Sequence, residues 1–242
     1  MQNINKQISL AGSQEAVISP HRKVSLTAGL FYLLTFISIP TLSLYGPVHE
    51  PGFILHPGGD NHIIMGGMLE IIVALAGIAT AVVLYPILIR QHRTFALGLV
   101  ASRILEAGTM FAGVAFLLTV VSLHQNGAGS ESLATSNAFV ALYDRIFVLG
   151  QGFIPAINDL LLGILLYRSR LVPRSLSVIG IAGAFPLVAG YLATVFGVID
   201  RVSPLAGLSA VPVAVFEFSL GVYLIVKGFK PDAPLLTQTQ CE

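Results

Sequence analysis

Residues 138–174 read AFVALYDRIFVLGQGFIPAINDLLLGILLYRSRLVPR, an apolar run that carries a polar stripe and ends in a basic clamp. Asp144, Gln151 and Asn158 recur at seven-residue steps, which places them on one face of a helix with Asp159 beside them. A polar stripe on a helix that crosses lipid has to face protein or water, because hydrocarbon offers it no partners. The other apolar segments are read as the packing partners of that stripe.

Composition points the same way. Of the 242 residues, 55% are hydrophobic and only 10% are charged, against roughly a quarter charged in a soluble domain. That deficit leaves too little polar surface for a water-soluble fold of this size and implies an all-α polytopic membrane bundle. There is no long basic run and no interleaving of aromatic and basic residues, which excludes a nucleic-acid partner. A single cysteine, Cys241, forbids an intramolecular disulfide, and its position does not fit a prenylation box. The first apolar run ends at Tyr45-Gly46-Pro47 without a small-residue cleavage pattern, so it reads as a retained span, not a signal peptide.

Six transmembrane helices are expected, at about 24–44, 62–89, 94–123, 138–167, 175–199 and 205–226. They form one membrane domain, 24–228, between polar tails at 1–23 and 229–242. Ten of the thirteen Lys and Arg residues fall on one side of this arrangement: Lys6, Arg22, Lys23, Arg90, Arg93, Arg168, Arg170, Arg174, Lys227 and Lys230. Arg201 alone lies on the other side, and Arg103 and Arg145 lie within spans. Every second connection is basic, so both termini are expected in the cytoplasm, with membrane lipids as partners. The fourth span, at about thirty residues, measures roughly 45 Å against a hydrocarbon core of about 30 Å. It is expected to tilt or protrude, and to kink at Pro155. Small residues four apart (Gly77 and Ala81, Gly180 and Ala184, Gly190 and Thr194) are read as places of close helix packing.

Seven ionisable residues fall within the spans: Glu70, Arg103, Glu106, Asp144, Arg145, Asp159 and Glu217. Each costs at least about 2.5–3.5 kcal/mol at the bilayer centre. Arg103 and Glu106 are three apart on one helix and can pair, and Glu217 lies about as deep as Glu106. Acids exceed bases by three, so some carboxyls must be protonated, hydrated or cation-bound. The candidate binding cluster is Arg103, Glu106, Asn158, Asp159 and Glu217. Two readings stay open. The cluster takes a proton, a cation or a small polar solute, or it only fixes helix packing in a non-catalytic structural or partner-binding component. Apart from these, a partner protein's helix could supply the counter-charge, and the partners expected are a membrane protein or a further copy of the chain.

An intramembrane enzyme is the weakest reading. No Gly-x-Ser-x-Gly elbow is present and no histidine lies mid-helix. His49, Glu50, His56, Asp60 and His62 crowd one loop, but their spacing matches no metal motif, and they read as solvated loop residues. No metal, cofactor or catalytic residue is expected.

Several stretches carry a family resemblance. They are Leu30-Phe31-Tyr32-Leu33-Leu34, Arg103-Ile104-Leu105-Glu106-Ala107, Leu165-Leu166-Tyr167-Arg168-Ser169-Arg170-Leu171-Val172-Pro173-Arg174, Leu176-Ser177-Val178-Ile179-Gly180, and Glu217 with Gly221-Val222-Tyr223-Leu224-Ile225-Val226-Lys227-Gly228. Together they resemble domain-of-unknown-function family 4386, a family of bacterial integral membrane proteins. The Leu-Tyr-Arg-Ser…Pro-Arg segment is the most specific part. Tyr223 stands where such proteins often carry Trp, and the chain has no Trp at all. The resemblance implies a multi-helix inner-membrane protein and draws attention to Arg103, Glu106 and Glu217. It implies no activity.

Overall fold

The computed structural model describes residues 19–127 and 129–237, and among these every regular element is helical. The α-helices are α1 (Pro20–Thr35), α2 (Thr41–Leu44), α3 (Asp60–Leu88), α4 (Arg93–Gln125), α5 (Leu133–Gly150), α6 (Ile154–Ser169), α7 (Arg174–Val195), α8 (Pro204–Val226) and α9 (Pro234–Thr237). Five segments are long and apolar enough to cross a membrane: α3, α4, the α5–α6 pair with the turn before it (Ser130–Ser169), α7 and α8.

Local chemistry sets several boundaries. Pro20 and Pro204 occupy the first turns of α1 and α8, where a missing N–H costs nothing. Ser19 Oγ accepts from Arg22 N at 3.2 Å and Ser203 Oγ from Ala206 N at 3.2 Å, each satisfying a donor that the helix leaves unpaired. Pro86, Pro186 and Pro212 are accommodated within continuous helices.

Two of the expected spans are interrupted. The span at 24–44 is not one helix: α1 stops at Thr35, a 3₁₀ turn covers Phe36–Ser38, and α2 resumes at Thr41. Pro40 has no N–H to continue a ladder, and the Thr35, Thr41 and Ser43 hydroxyls bond back to Tyr32, Ser38 and Pro40 carbonyls. With 16 residues, α1 measures about 24 Å, short of a hydrocarbon core. The span at 138–167 breaks at residues 151–153, leaving α5 and α6 as two half-helices. Pro155 does not kink a continuous helix as expected. It sits in the first turn of α6, so the break falls just before it.

The helices close into a ring. α1 packs on α3, α3 on α4, α4 on both α5 and α6, α6 on α7, α7 on α8, and α8 back on α1. Glycines permit the tightest crossings. A Cβ at Gly29 would lie 2.7 Å from Gly221 O, and one at Gly183 within 3.2 Å of the Val213 backbone nitrogen, so α1–α8 and α7–α8 touch backbone to backbone. Gly180 is covered by the Phe216 ring and Gly190 by Ser209, which matches the packing role read from their spacing. Large apolar side chains such as Leu30, Leu75, Leu105, Phe185 and Leu208 point outward, while Ser25, Glu70, Thr80, Arg103, Asn158 and Asp159 are buried. That inside-out distribution suits a bundle surrounded by lipid.

The tails differ from expectation as well. Residues 229–237 are not a free polar tail: Phe229, Ala233 and Leu235 are buried, Lys230 N bonds Leu171 O at 2.9 Å, and Arg90 Nη2 bonds Leu235 O at 2.9 Å. Most of the expected N-terminal tail, and Cys241, lie outside the described residues.

Candidate functional site

Arg103 lies ten residues into α4 and is only 5% exposed, beneath the ring of Tyr32 at 5.9 Å. Its Nη1 donates to Glu106 Oε2 at 3.1 Å, the i,i+3 pair expected from sequence. Its Nη2 donates to Glu217 Oε1 on α8, tying α4 across the bundle. Glu106 Oε2 also accepts from Asn158 Nδ2 on α6 at 2.7 Å, and Asn158 Oδ1 in turn accepts from Ser102 Oγ on α4. Four of the five candidate residues therefore form one continuous hydrogen-bonded cluster on three helices.

The fifth, Asp159, is adjacent but different. It is 0% exposed, within electrostatic reach of Arg103, Glu106 and Glu217, and neither of its carboxyl oxygens has a hydrogen-bond partner. Arg103 Nε is likewise buried and unpaired. Orphaned buried polar atoms of this kind call for a water, an ion or a proton to complete them.

Beside the cluster is a cavity of about 300 Å³. Arg103, Glu106 and Glu217 form its ionic wall, and Val73, Met110, Leu187 and Val213 are among its apolar walls. Its remaining boundary is the interrupted backbone: Thr35, Phe36, Ser38 and Ile39 from the end of α1, and Gln151 and Pro155 from the break between α5 and α6. At about 30 Å³ per water this space holds on the order of ten waters or one small solute.

The polar stripe survives the helix break. Gln151 Nε2 donates to Glu70 Oε1 on α3 at 2.6 Å, and Asn158 serves Glu106 as described. Asp144 lies within α5, eleven residues from its start, and joins a half-exposed cluster with the 46–59 loop. Arg201 Nη2 lies 2.8 Å and His49 Nε2 3.0 Å from Asp144 Oδ1. Arg145 is exposed.

His49 is thus not a simply solvated loop residue. Its Nδ1–H donates to Tyr45 O at 2.8 Å. Nε2 then donates to Asp144 when the ring is charged, or accepts from Arg201 Nη2 at 3.3 Å when it is neutral. The Asp144 hydrogen bond raises the His49 pKa above its ordinary value; burial opposes this, and the Tyr45 carbonyl adds to it. Asp60, the first residue of α3, pairs with His124 Nδ1 at 2.7 Å. Among the described residues, no three His, Cys, Asp or Glu side chains come together to hold a metal.

Sequence reasoning left Glu70 out of the site. It is 2% exposed and accepts from Tyr45 Oη at 2.8 Å as well as from Gln151. Its burial mid-span was the one available signal. Its partners come from a loop and a helix break far away in the chain.

Comparison with curated proteins and with solved structures gave no match. The model of the family described as Domain of unknown function (DUF4386) matches residues 27–228, which include every residue of the cluster and the break in each interrupted span. The chain belongs to that family, DUF4386.

Proposed function

We propose that the chain is a six-crossing protein of the bacterial cell membrane that binds, and by that means translocates, a proton or small cation at the Arg103–Glu106–Asn158–Asp159–Glu217 cluster. The observation that carries this reading is a charge imbalance beside a cavity. One cation, Arg103, faces three carboxyls, Glu106, Glu217 and the fully buried Asp159, and Asp159 has no hydrogen-bond partner among the described residues. Packing alone gives no reason to bury an unpaired carboxyl, because such a group costs free energy until it gains a proton or a cation. The role proposed is not enzymatic.

The sixth crossing is α1 with its 3₁₀ continuation and α2, and both termini face the cytoplasm. Support comes from how the basic connections gather at one end. Arg22 donates to the carbonyls of Leu224 and Ile225, Lys230 N bonds Leu171 O, and Arg90 reaches Leu235 O. The basic segments around residues 22, 90, 170 and 230 are thereby held together, as the excess of positive charge on cytoplasmic loops requires. Anionic lipid headgroups are the partners expected at that end.

A second reading has its own support. Arg103 joins α4 to α8 through Glu217, and a network of that kind can exist only to fix helix register. Melting of the purified protein in detergent separates the two. Wild type, Glu217→Gln and Asp159→Asn are screened against pH, monovalent and divalent cations and small polar solutes. A ligand at a hundred times its Kd adds about 2.7 kcal/mol to stability. A shift seen in wild type and lost in both variants supports binding at the cluster. No shift in wild type with any ligand refutes it and leaves the packing role.

A further inference from the structure

Among the described residues Glu70 belongs to no ion pair, although it is as deeply buried as the cluster. We propose that Glu70, held between Tyr45 and Gln151, is a second proton-binding site, set between the central cavity and the end of the bundle that carries His49, Asp144 and Arg201. The inference rests on the reading of the cluster given above and extends it by assigning a way into the cavity.

Position comes first. Glu70 is ten residues from the start of α3, about 15 Å along the helix. Gly67 faces Val114 and Gly77 faces Arg103 across the α3–α4 contact, so Glu106 stands opposite about residue 74. Glu70 therefore lies roughly one helical turn, about 6 Å, beyond Glu106 on the way out of the bundle.

The connections run in both directions. Gln151, in the break between α5 and α6, donates to Glu70 and also lines the cavity that holds Glu106 and Glu217. On the other side Tyr45 donates to Glu70, and its ring stands edge-on to Tyr143 with centroids 5.2 Å apart. Tyr45 and Tyr143 are the inner wall of a recess of about 270 Å³ whose outer wall includes His49 and Arg201. Tyr45, Glu70 and Gln151 thus form a hydrogen-bonded link from recess to cavity.

The ligand follows from the chemistry of the partners. Each carboxyl oxygen of Glu70 meets one neutral donor, a phenol or an amide. A phenol donates to a carboxylate and accepts from a carboxylic acid without moving its ring, so Glu70 is satisfied with or without a proton. Divalent cations take six or more oxygens, which this layer does not offer. The charged groups facing Glu70 do not fix its state. Arg201 is within electrostatic reach but already pairs with Asp144 and lies against His49. Tyr143 on α5 is neutral, and Glu106 on α4 is matched to Arg103.

Infrared difference spectra between acidic and alkaline buffer test this on the full chain in lipid vesicles, with the C=O stretch of protonated carboxyls as the readout. The expected result is that Glu70→Gln removes one component of the wild-type band. Tyr45→Phe keeps that component but raises its frequency and moves its titration midpoint, because one hydrogen bond is lost. Spectra of Glu70→Gln and Tyr45→Phe that match wild type, in proteins that still melt cooperatively, overturn the proposal. Tyr45→Phe carries the test alone if Glu70→Gln does not fold, since an unmoved band in that variant also overturns it. Glu106→Gln, Asp159→Asn and Glu217→Gln run alongside. Loss of a Glu70 component with none from those three sustains the second site and refutes the role given to the cluster. The reverse pattern refutes Glu70 alone.

Discussion

Arg103 has two carboxylate partners, whereas Glu106 and Glu217 each have one guanidinium, and that asymmetry makes a signed prediction. The Arg103–Glu106 contact at 3.1 Å corresponds to about 5 kcal/mol of gross attraction at an effective dielectric constant of about 20. Desolvation offsets most of it while the pair is intact. Once one partner is removed the other is left buried and uncompensated, at a cost of about 3–5 kcal/mol. Arg103→Gln orphans two carboxylates and should reach that range. Glu217→Gln leaves Arg103 bonded to Glu106 and keeps an amide oxygen for Nη2 to reach. Its cost should resemble an ordinary interhelical hydrogen bond in a membrane, about 0.6–1.7 kcal/mol. The decisive quantity is the double variant. In the Arg103→Gln background, Glu217→Gln removes an orphaned carboxylate and should stabilise, so the same substitution changes sign. The coupling should be at least about 2 kcal/mol. Unfolding in mixed micelles of mild detergent and dodecyl sulfate, with all four proteins at one pH, measures it. Glu217→Gln destabilising both backgrounds equally would refute the pairing and with it the geometry of the cluster.

Three further expectations follow from other parts of the fold. Gly29→Ala pushes a methyl against the Gly221 carbonyl and the Ile225 backbone, which cannot yield as a side chain would. It should cost about 1–3 kcal/mol by the same unfolding assay, whereas Gly108→Ala, with nothing within 4 Å, should be neutral or stabilising. Asp159→Asn removes a buried charge that has no partner, so the ligand-free protein should melt at an equal or higher temperature; a large fall in Tm would mean that a partner exists. His49 holds its proton more tightly folded than unfolded because of Asp144. Its contribution to stability is complete below the unfolded value of about 6.5 and is lost as pH rises through the raised folded value. Tm measured from pH 5 to 9 should therefore show a loss in wild type that His49→Gln lacks.

Much of the cluster was legible in the sequence because it obeys local rules. Arg103 and Glu106 are neighbours on any helix, and Asn158 stands out as a polar residue in an apolar run, although the heptad step from Gln151 crosses a helix break. Glu217 required only an estimate of depth. The interruptions were harder, since hydropathy is blind to them: residues 138–167 stay apolar straight through the break. The signal was Gly150-Gln151-Gly152 followed by Pro155, two flexible residues and then one that favours a helix start. Read together they announce a new helix where a kink was expected. The docking of residues 229–237 escaped because three apolar residues, Phe229, Ala233 and Leu235, sit in a segment that is polar on average. Glu70 had no local signature. Tyr45 is 25 residues from it and Gln151 is 81, so only the closed ring of helices brings them together.

The two interruptions bear on each other. Backbone that leaves the helix at membrane depth exposes N–H and C=O groups which lipid cannot satisfy, and it is tolerated only within protein or against water. Here the end of α1 and the break between α5 and α6 border the same cavity, and the carboxyls of Glu106 and Glu217 are on its wall. Water in it reaches that backbone and the ionic wall, and Arg103, Glu106 and Glu217 on that wall are in turn within electrostatic reach of Asp159, the one cluster carboxyl with no hydrogen-bond partner among the described residues. The breaks, the cavity and the unpaired charge are therefore one arrangement. Gln151, in the break itself, joins them to Glu70, because it borders the cavity and donates to that carboxyl.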